Sequence, residues 1–297
     1  MRIFNPRKQK LKAAAGKPAI SKPFRLNRLS SRRIEGDGEQ LAGRLRSRGI
    51  YLLPNAFTTA ALFCGFYAIV MAMNGQFFNA SVAIFAAMVL DATDGRVARL
   101  TNTQSEFGAQ YDSLSDMVSF GAAPALIVYE WALRGMGKLG WLAAFVYCAG
   151  AALRLARFNT NIAVVDKRFF QGLPSPAAAA LVAGFIWLMD DLRIGGADFS
   201  WLAWIITVYA GLTMVTNAPF YSFKDVSLKK SVPFVVIVVI ALGIALINIH
   251  PPLVLFAMFV VYGASGYVLY AWRRMKGKPA SVIATSTDDP DEVGLHR

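Results

Sequence analysis

Eight apolar runs, each separated from the next by a short polar stretch, leave this chain few folds to adopt. They fall at about 52–73, 77–91, 115–133, 139–155, 176–190, 200–219, 232–249 and 252–272. A bilayer with a hydrocarbon core of ~30 Å needs ~20 apolar residues per crossing helix. Hydrophobic residues make up 56% of the 297, above the roughly 45–50% of a soluble domain, and the excess is gathered in these runs. The expected fold class is all-α, a polytopic membrane helix bundle of about eight transmembrane helices. An ordinary soluble enzyme with one large core is excluded. The second run is too short to cross unless its helix continues through Asp91 and Asp94 to Arg96 and Arg99. The third can likewise begin near Glu106, so that two long helices share one polar end.

Charge sets the expected orientation. Residues 1–48 hold 14 of the 31 Lys and Arg against three acids, Glu35, Asp37 and Glu39. Directly before an apolar run, such an arm suits anionic lipid head groups better than nucleic acid. Its prolines, Pro6, Pro18 and Pro23, and its weak periodicity predict a largely disordered cytoplasmic arm. With eight alternating spans, the arm, the Val165–Arg168 loop, the Lys224–Lys230 loop and Arg273-Arg274-Met275-Lys276 share one side. Both termini are then expected in the cytoplasm. Three regions follow: the arm 1–48, an integral membrane catalytic domain 49–272, and a cytoplasmic tail 273–297. Cys64 and Cys148 sit inside apolar runs and read as small buried hydrophobes rather than a disulfide or metal site.

Four aspartates stand at the ends of two of these runs: Asp91, Asp94, Asp112 and Asp116. A carboxylate at the bilayer centre costs about 2.5–3.5 kcal/mol on insertion scales, so four facing lipid would oppose insertion by roughly 10 kcal/mol. They are expected to face a wet cavity at the cytoplasmic side. A spacing of three (Asp91, Asp94) and of four (Asp112, Asp116) puts each pair on one helix face. If the two helices pack antiparallel, four carboxylates converge, and such a cluster repels itself unless cations neutralise it. Hard oxygen ligands suit Mg²⁺ or Mn²⁺, and two ions ~3.5–4 Å apart would clamp a phosphoryl group.

The segment DATDGRVARLTNTQSEFGAQYDSLSD at 91–116 resembles the signature of the CDP-alcohol phosphotransferase family: DxxDG, then AR, then GxxxD and a final xxxD. Asp91, Asp94, Gly95, Ala98, Arg99, Gly108, Asp112 and Asp116 fill every fixed position. The resemblance implies a six-helix catalytic core, a homodimer, and transfer of a phosphatidyl or related group from a CDP-linked donor to an alcohol, releasing CMP. It further implies that Asp91, Asp94, Asp112 and Asp116 hold a pair of divalent ions, Mg²⁺ or Mn²⁺. Asp116 would also be the catalytic base, and Gly95, Ala98, Arg99 and Gly108 would lie against the CDP moiety.

Three further segments, YDSLSDMVSFGAAPA at 111–125, GAALRLARFN at 150–159 and FQGLPSPAA at 170–178, look like the phosphatidylserine synthase branch. The expected substrates are then CDP-diacylglycerol and L-serine, the product phosphatidylserine. Arg154, Arg157, Asn159 and Ser175 are the candidates for binding the acceptor or a phosphate, because a guanidinium fork matches a carboxylate or phosphate. Positive-inside anchoring is the plainer reading of the two arginines. An acceptor such as glycerol 3-phosphate or inositol phosphate would use the same cations. A divalent-cation transporter would instead place acids at mid-membrane on several helices. The expected location is the bacterial inner (plasma) membrane.

Overall fold

A computed structural model describes residues 54–101, 103–161, 169–222 and 234–276. The arm 1–48, the tail beyond Lys276 and the cationic loops 165–168 and 224–230, on which the expected orientation rests, lie outside the described residues.

Helices follow the apolar runs. α1 spans Pro54–Met73 and opens on a proline, whose missing N–H is no loss in a first turn. α2, Phe77–Leu100, carries on through Asp91 and Asp94. α3, Glu106–Asp116, is capped by Ser105, whose hydroxyl oxygen accepts the Gly108 N–H at 3.0 Å. Both extensions expected from the sequence are therefore present. The rod that starts with α3 continues through a π-helical stretch, Met117–Ala122, then α4, Ala123–Val128, then a second π-helical stretch, Tyr129–Leu133. α5 (Lys138–Asn161), α6 (Ser175–Asp191), α7 (Ser200–Val215), α8 (Phe234–Ile249) and α9 (Pro251–Met275) follow.

Among the described residues, five helices are long and apolar enough to cross a membrane: α1, α2, α5, α7 with its preceding turn from Gly196, and α9. α6 has 17 residues and α8 has 16, and π-helical turns interrupt the α3–α4 rod. One expected boundary is corrected. The run 200–219 is not helical to its end, because Thr216 turns to extended backbone (ψ 163°). Pro219–Tyr221 instead forms β2, paired antiparallel with β1, Phe169–Gln171. Among the described residues the bundle is thus all-α apart from this short ribbon.

α6 is the axis of the core. Its run of Ala177–Ala180, with Leu181, Val182, Phe185 and Ile186, is buried on every side, as expected of a helix that is apolar all round. α2, α7 and α9 pack around it. The outer helices turn large apolar side chains outward, among them Phe63, Phe66, Phe145, Trp201, Ile205 and Leu212. Hydrocarbon solvates such a surface at no cost, whereas water would not.

Helices in lipid gain little from hydrophobic attraction to one another, so close backbone contact through small residues matters more. Gly211 of α7 lies against α5: a Cβ at that position would stand 2.8 Å from the Tyr147 Cα. Gly65 of α1 meets Ser119 in the same way, at 2.6 Å from its Oγ. Gly211→Val should overpack the α5–α7 crossing and cost about 1–3 kcal/mol. The expected outcome is a lower thermal midpoint in detergent and a smaller loss for Gly243→Ala, since a Cβ at Gly243 would meet nothing within 4 Å. Equal midpoints for Gly211→Val and the native chain would show that the crossing yields freely.

Candidate metal and phosphoryl-transfer site

Three helices meet at the polar end of the bundle, and α1 holds the other two in register. The Ser115 hydroxyl donates to the Thr58 carbonyl at 3.1 Å and the Ser119 hydroxyl to the Ala61 carbonyl at 3.1 Å. Thr59 Oγ1 and the Tyr111 hydroxyl lie 2.9 Å apart. Side-chain hydroxyls thus tie α1 to α3 and its π-helical continuation over three turns. A hydroxyl hidden among apolar helices gains from such a partner, since leaving it unmet costs about 1–3 kcal/mol.

Asp91, Asp112 and Asp116 converge. One carboxylate oxygen from each lies within 4.8 Å of the other two. At 4 Å, like charges repel by roughly 4 kcal/mol at an effective dielectric of ~20. Asp112 Oδ1 is buried with no hydrogen-bond partner among the described residues. A buried acceptor beside two further carboxylates is what a hard cation requires, and the donor set, all oxygen, suits Mg²⁺ or Mn²⁺. Asp94 is not part of this close group. It is 5% exposed, and its Oδ2 accepts the Thr58 hydroxyl at 2.8 Å.

The small residues of the motif border open space. Gly95 is exposed, and a Cβ there would meet nothing within 4 Å. Arg99 is exposed and Ala98 half-buried on the same helix end. At Gly108, half-buried one turn before Asp112, a Cβ would approach Ser105 Oγ to 3.1 Å.

Arg154 and Arg157, one turn apart on α5, have different surroundings. Arg154 is buried, and its Nη1 donates to Ser175 Oγ at 2.6 Å. Its charge acts on Asp116 and Asp91, so among the described residues it is a cation close enough to influence the carboxylate group. Ser175 is wholly buried at the start of α6, where it holds Arg154 rather than lining open space. Arg157 fastens the fold. Its Nη1 donates to the Val215 carbonyl and Asn217 Oδ1, both at 3.0 Å. Its Nη2 donates to the carbonyls of Gln171 (3.0 Å), Thr216 (3.1 Å) and Met214 (3.4 Å). These are the end of α7 and the edge of β1, so its fork is already engaged by main chain. Asn159 is exposed and donates to Ser113 Oγ at 3.0 Å. The sequence offered no sign of Thr58. It stands outside the motif, and a threonine in an apolar run has no distinctive spacing.

Residues 51–216 match the family model described as CDP-alcohol phosphatidyltransferase. The chain is similar to the CDP-diacylglycerol–serine O-phosphatidyltransferase of Helicobacter pylori, with 36% identity over 217 residues, 72% of this chain and 90% of that protein. It is similar to proteins of the same name from Methanocaldococcus jannaschii, 33% over 191 residues (64% and 85%), and Mycobacterium leprae, 30% over 230 residues (75% and 76%).

Removing the Arg157 guanidinium should act first on stability. Arg157→Ala would strip donors from carbonyls at the α7 end, at about 1–3 kcal/mol for each one left dry. Thermal unfolding in detergent is expected to show a clear loss for Arg157→Ala and almost none for Asn159→Ala, whose bonds to Ser113 are exposed. Identical midpoints for the two variants would mean that water replaces the clamp.

Proposed function

Because this chain belongs to the CDP-alcohol phosphatidyltransferase family, we propose that it transfers the phosphatidyl group of CDP-diacylglycerol to the hydroxyl of L-serine, giving phosphatidylserine and CMP. The observation that carries this reading is the meeting of Asp91, Asp112 and Asp116 beside the buried cation Arg154. Relatives named for the same reaction match over most of their own length.

The chain's own residues divide the work. Asp91, Asp112 and Asp116 would hold a divalent metal, and Asp94 would be a further ligand to a second ion. Mg²⁺ or Mn²⁺, when bound there, would supply positive charge for phosphoryl transfer. Asp116 takes the proton from the serine hydroxyl as its oxygen attacks the β-phosphorus. The bond from that phosphorus to the bridging oxygen breaks, and CMP leaves with the electron pair. Gly95, Ala98, Arg99 and Gly108 border the space for the nucleotide, where a missing Cβ lets a ligand approach the backbone. Arg154 binds the serine carboxylate or the donor phosphate, held in place by Ser175. The site opens to the cytoplasmic leaflet of the plasma membrane, both termini are cytoplasmic, and the arm 1–48 attracts anionic lipids. The enzyme works as a homodimer.

Chelation tests the carboxylate reading. Purified protein in mixed micelles, given labelled serine and CDP-diacylglycerol, should release CMP and form labelled lipid only with Mg²⁺ or Mn²⁺. Asp91→Asn, Asp112→Asn and Asp116→Asn should each abolish turnover while the protein still inserts. Full activity in EDTA would falsify the metal assignment.

Acceptor choice tests Arg154. If its guanidinium holds the serine carboxylate, ethanolamine leaves that charge unpaired. In a wet pocket it should be rejected by roughly 10²-fold in kcat/KM. Arg154→Lys should raise KM for serine far more than KM for CDP-diacylglycerol. Faster turnover with glycerol 3-phosphate than with serine would overturn the acceptor and leave phosphatidyl transfer intact.

A further inference from the structure

α1 supplies none of the motif residues, yet one of its residues touches both halves of the motif. The Thr58 hydroxyl donates to Asp94 Oδ2 at 2.8 Å, and the Thr58 carbonyl accepts the hydroxyl of Ser115 at 3.1 Å. Ser115 immediately precedes Asp116. All three side chains are buried: Thr58 4%, Asp94 5% and Ser115 3% exposed. The hydroxyl has a second acceptor in the Pro54 carbonyl at 3.2 Å. A single proton serves one acceptor at a time, and the shorter bond, to an ionised carboxylate, is the stronger.

We infer that Thr58 is a positioning residue for the transfer reaction: it orients Asp94 and ties α2 to the Asp116 segment, so fixing the separation of the two halves of the carboxylate site. The inference rests on the proposed role of these aspartates as metal ligands. Carboxylates that bind metal are commonly held by an outer hydrogen bond, and loss of such a bond weakens metal affinity or activity by about 10–100-fold. Thr58 has the position for that role. It is the donor to Asp94, it is closed off from water that would replace it, and the same residue anchors the helix turn that carries Asp116. A hydroxyl that merely joined α1 to α2 would alter stability and leave metal affinity unchanged.

The test uses the full chain in detergent micelles, without substrate, and titrates Mn²⁺ while free Mn²⁺ is read by its electron paramagnetic resonance signal. Thr58→Val keeps the shape and removes the donor; Thr58→Ser restores it. Thr58→Val is expected to weaken Mn²⁺ binding by about 10–100-fold and to move the Mn²⁺ activation midpoint alike, with KM for serine unchanged. Thr58→Ser should bind close to the native level. Ser115→Ala, which frees the Thr58 carbonyl, should shift affinity in the same direction by less, and it serves if Thr58→Val fails to fold. Native Mn²⁺ affinity in Thr58→Val, or equal weakening in Thr58→Val and Thr58→Ser, would overturn the inference. Asp94→Asn and Asp91→Asn separate the two levels. If both lose Mn²⁺ while Thr58→Val keeps it, only the role of Thr58 falls; if neither loses it, the metal reading itself falls.

Discussion

Like charges brought together at the end of a hydrophobic bundle create the demand that the surrounding structure answers. Asp91, Asp112 and Asp116 lie close enough to repel by several kcal/mol in a medium of intermediate dielectric. Such a group is sustained when the helices that carry it are anchored from outside and a positive charge stands nearby. The anchoring comes from hydroxyls: Thr58 holds Asp94, and Ser115 and Ser119 fasten the helix that carries Asp112 and Asp116 to the carbonyls of α1. Positive charge comes from Arg154, which is buried and acts electrostatically on Asp116 and Asp91. A shared cation would relieve the repulsion that remains, as a metal-dependent phosphoryl-transfer site requires.

The remainder of the bundle keeps Arg154 in position. Ser175 receives its Nη1 at the head of α6, and that head is reached through β1 and Gly172. The positive φ of Gly172, 75°, admits the turn, its N–H donates to the Ala218 carbonyl, and the Leu173 N–H donates to the Thr213 carbonyl. Arg157 ties the same backbone to α5 from the other side. The two arginines look alike in the sequence but serve different ends. One presents charge to the site; the other gathers the carbonyls that would otherwise lack donors where α7 stops.

Much of this was legible in the residues and some was not. The apolar runs located the helices, and a helix of fixed pitch converts spacing into direction, so Asp112 and Asp116 share a face. Of the four carboxylates expected to converge, Asp91, Asp112 and Asp116 do. The end of α7 was misjudged. Apolar character continues through Ala218, Pro219 and Phe220, and hydropathy cannot distinguish a buried strand from a helix end. Asp94 carried the same motif weight as its neighbours, yet it stands apart from the close group on the Thr58 hydroxyl. Arg157 shares a face with Arg154 by spacing, and Asn159 follows nearby. The partners of Arg157 and Asn159, among them Met214, Val215, Thr216 and Ser113, come from distant parts of the chain, and no local pattern announces them.

The π-helical turns after Asp116 make the third rod two cylinders in series with a rotation at the joint. A π turn holds one more residue than an α turn, so every side chain below Ala122 is turned by about a quarter of a revolution from its uninterrupted α-helical phase. The upper cylinder can then aim Asp112 and Asp116 at the site while the lower aims Pro124, Ala125, Ile127 and Val128 into the core. A straight α-helix would have to satisfy both neighbours with one phase. Chemistry and packing are uncoupled along this rod, so that the sequence of its lower half can drift with the core while the bearing of the aspartates is kept.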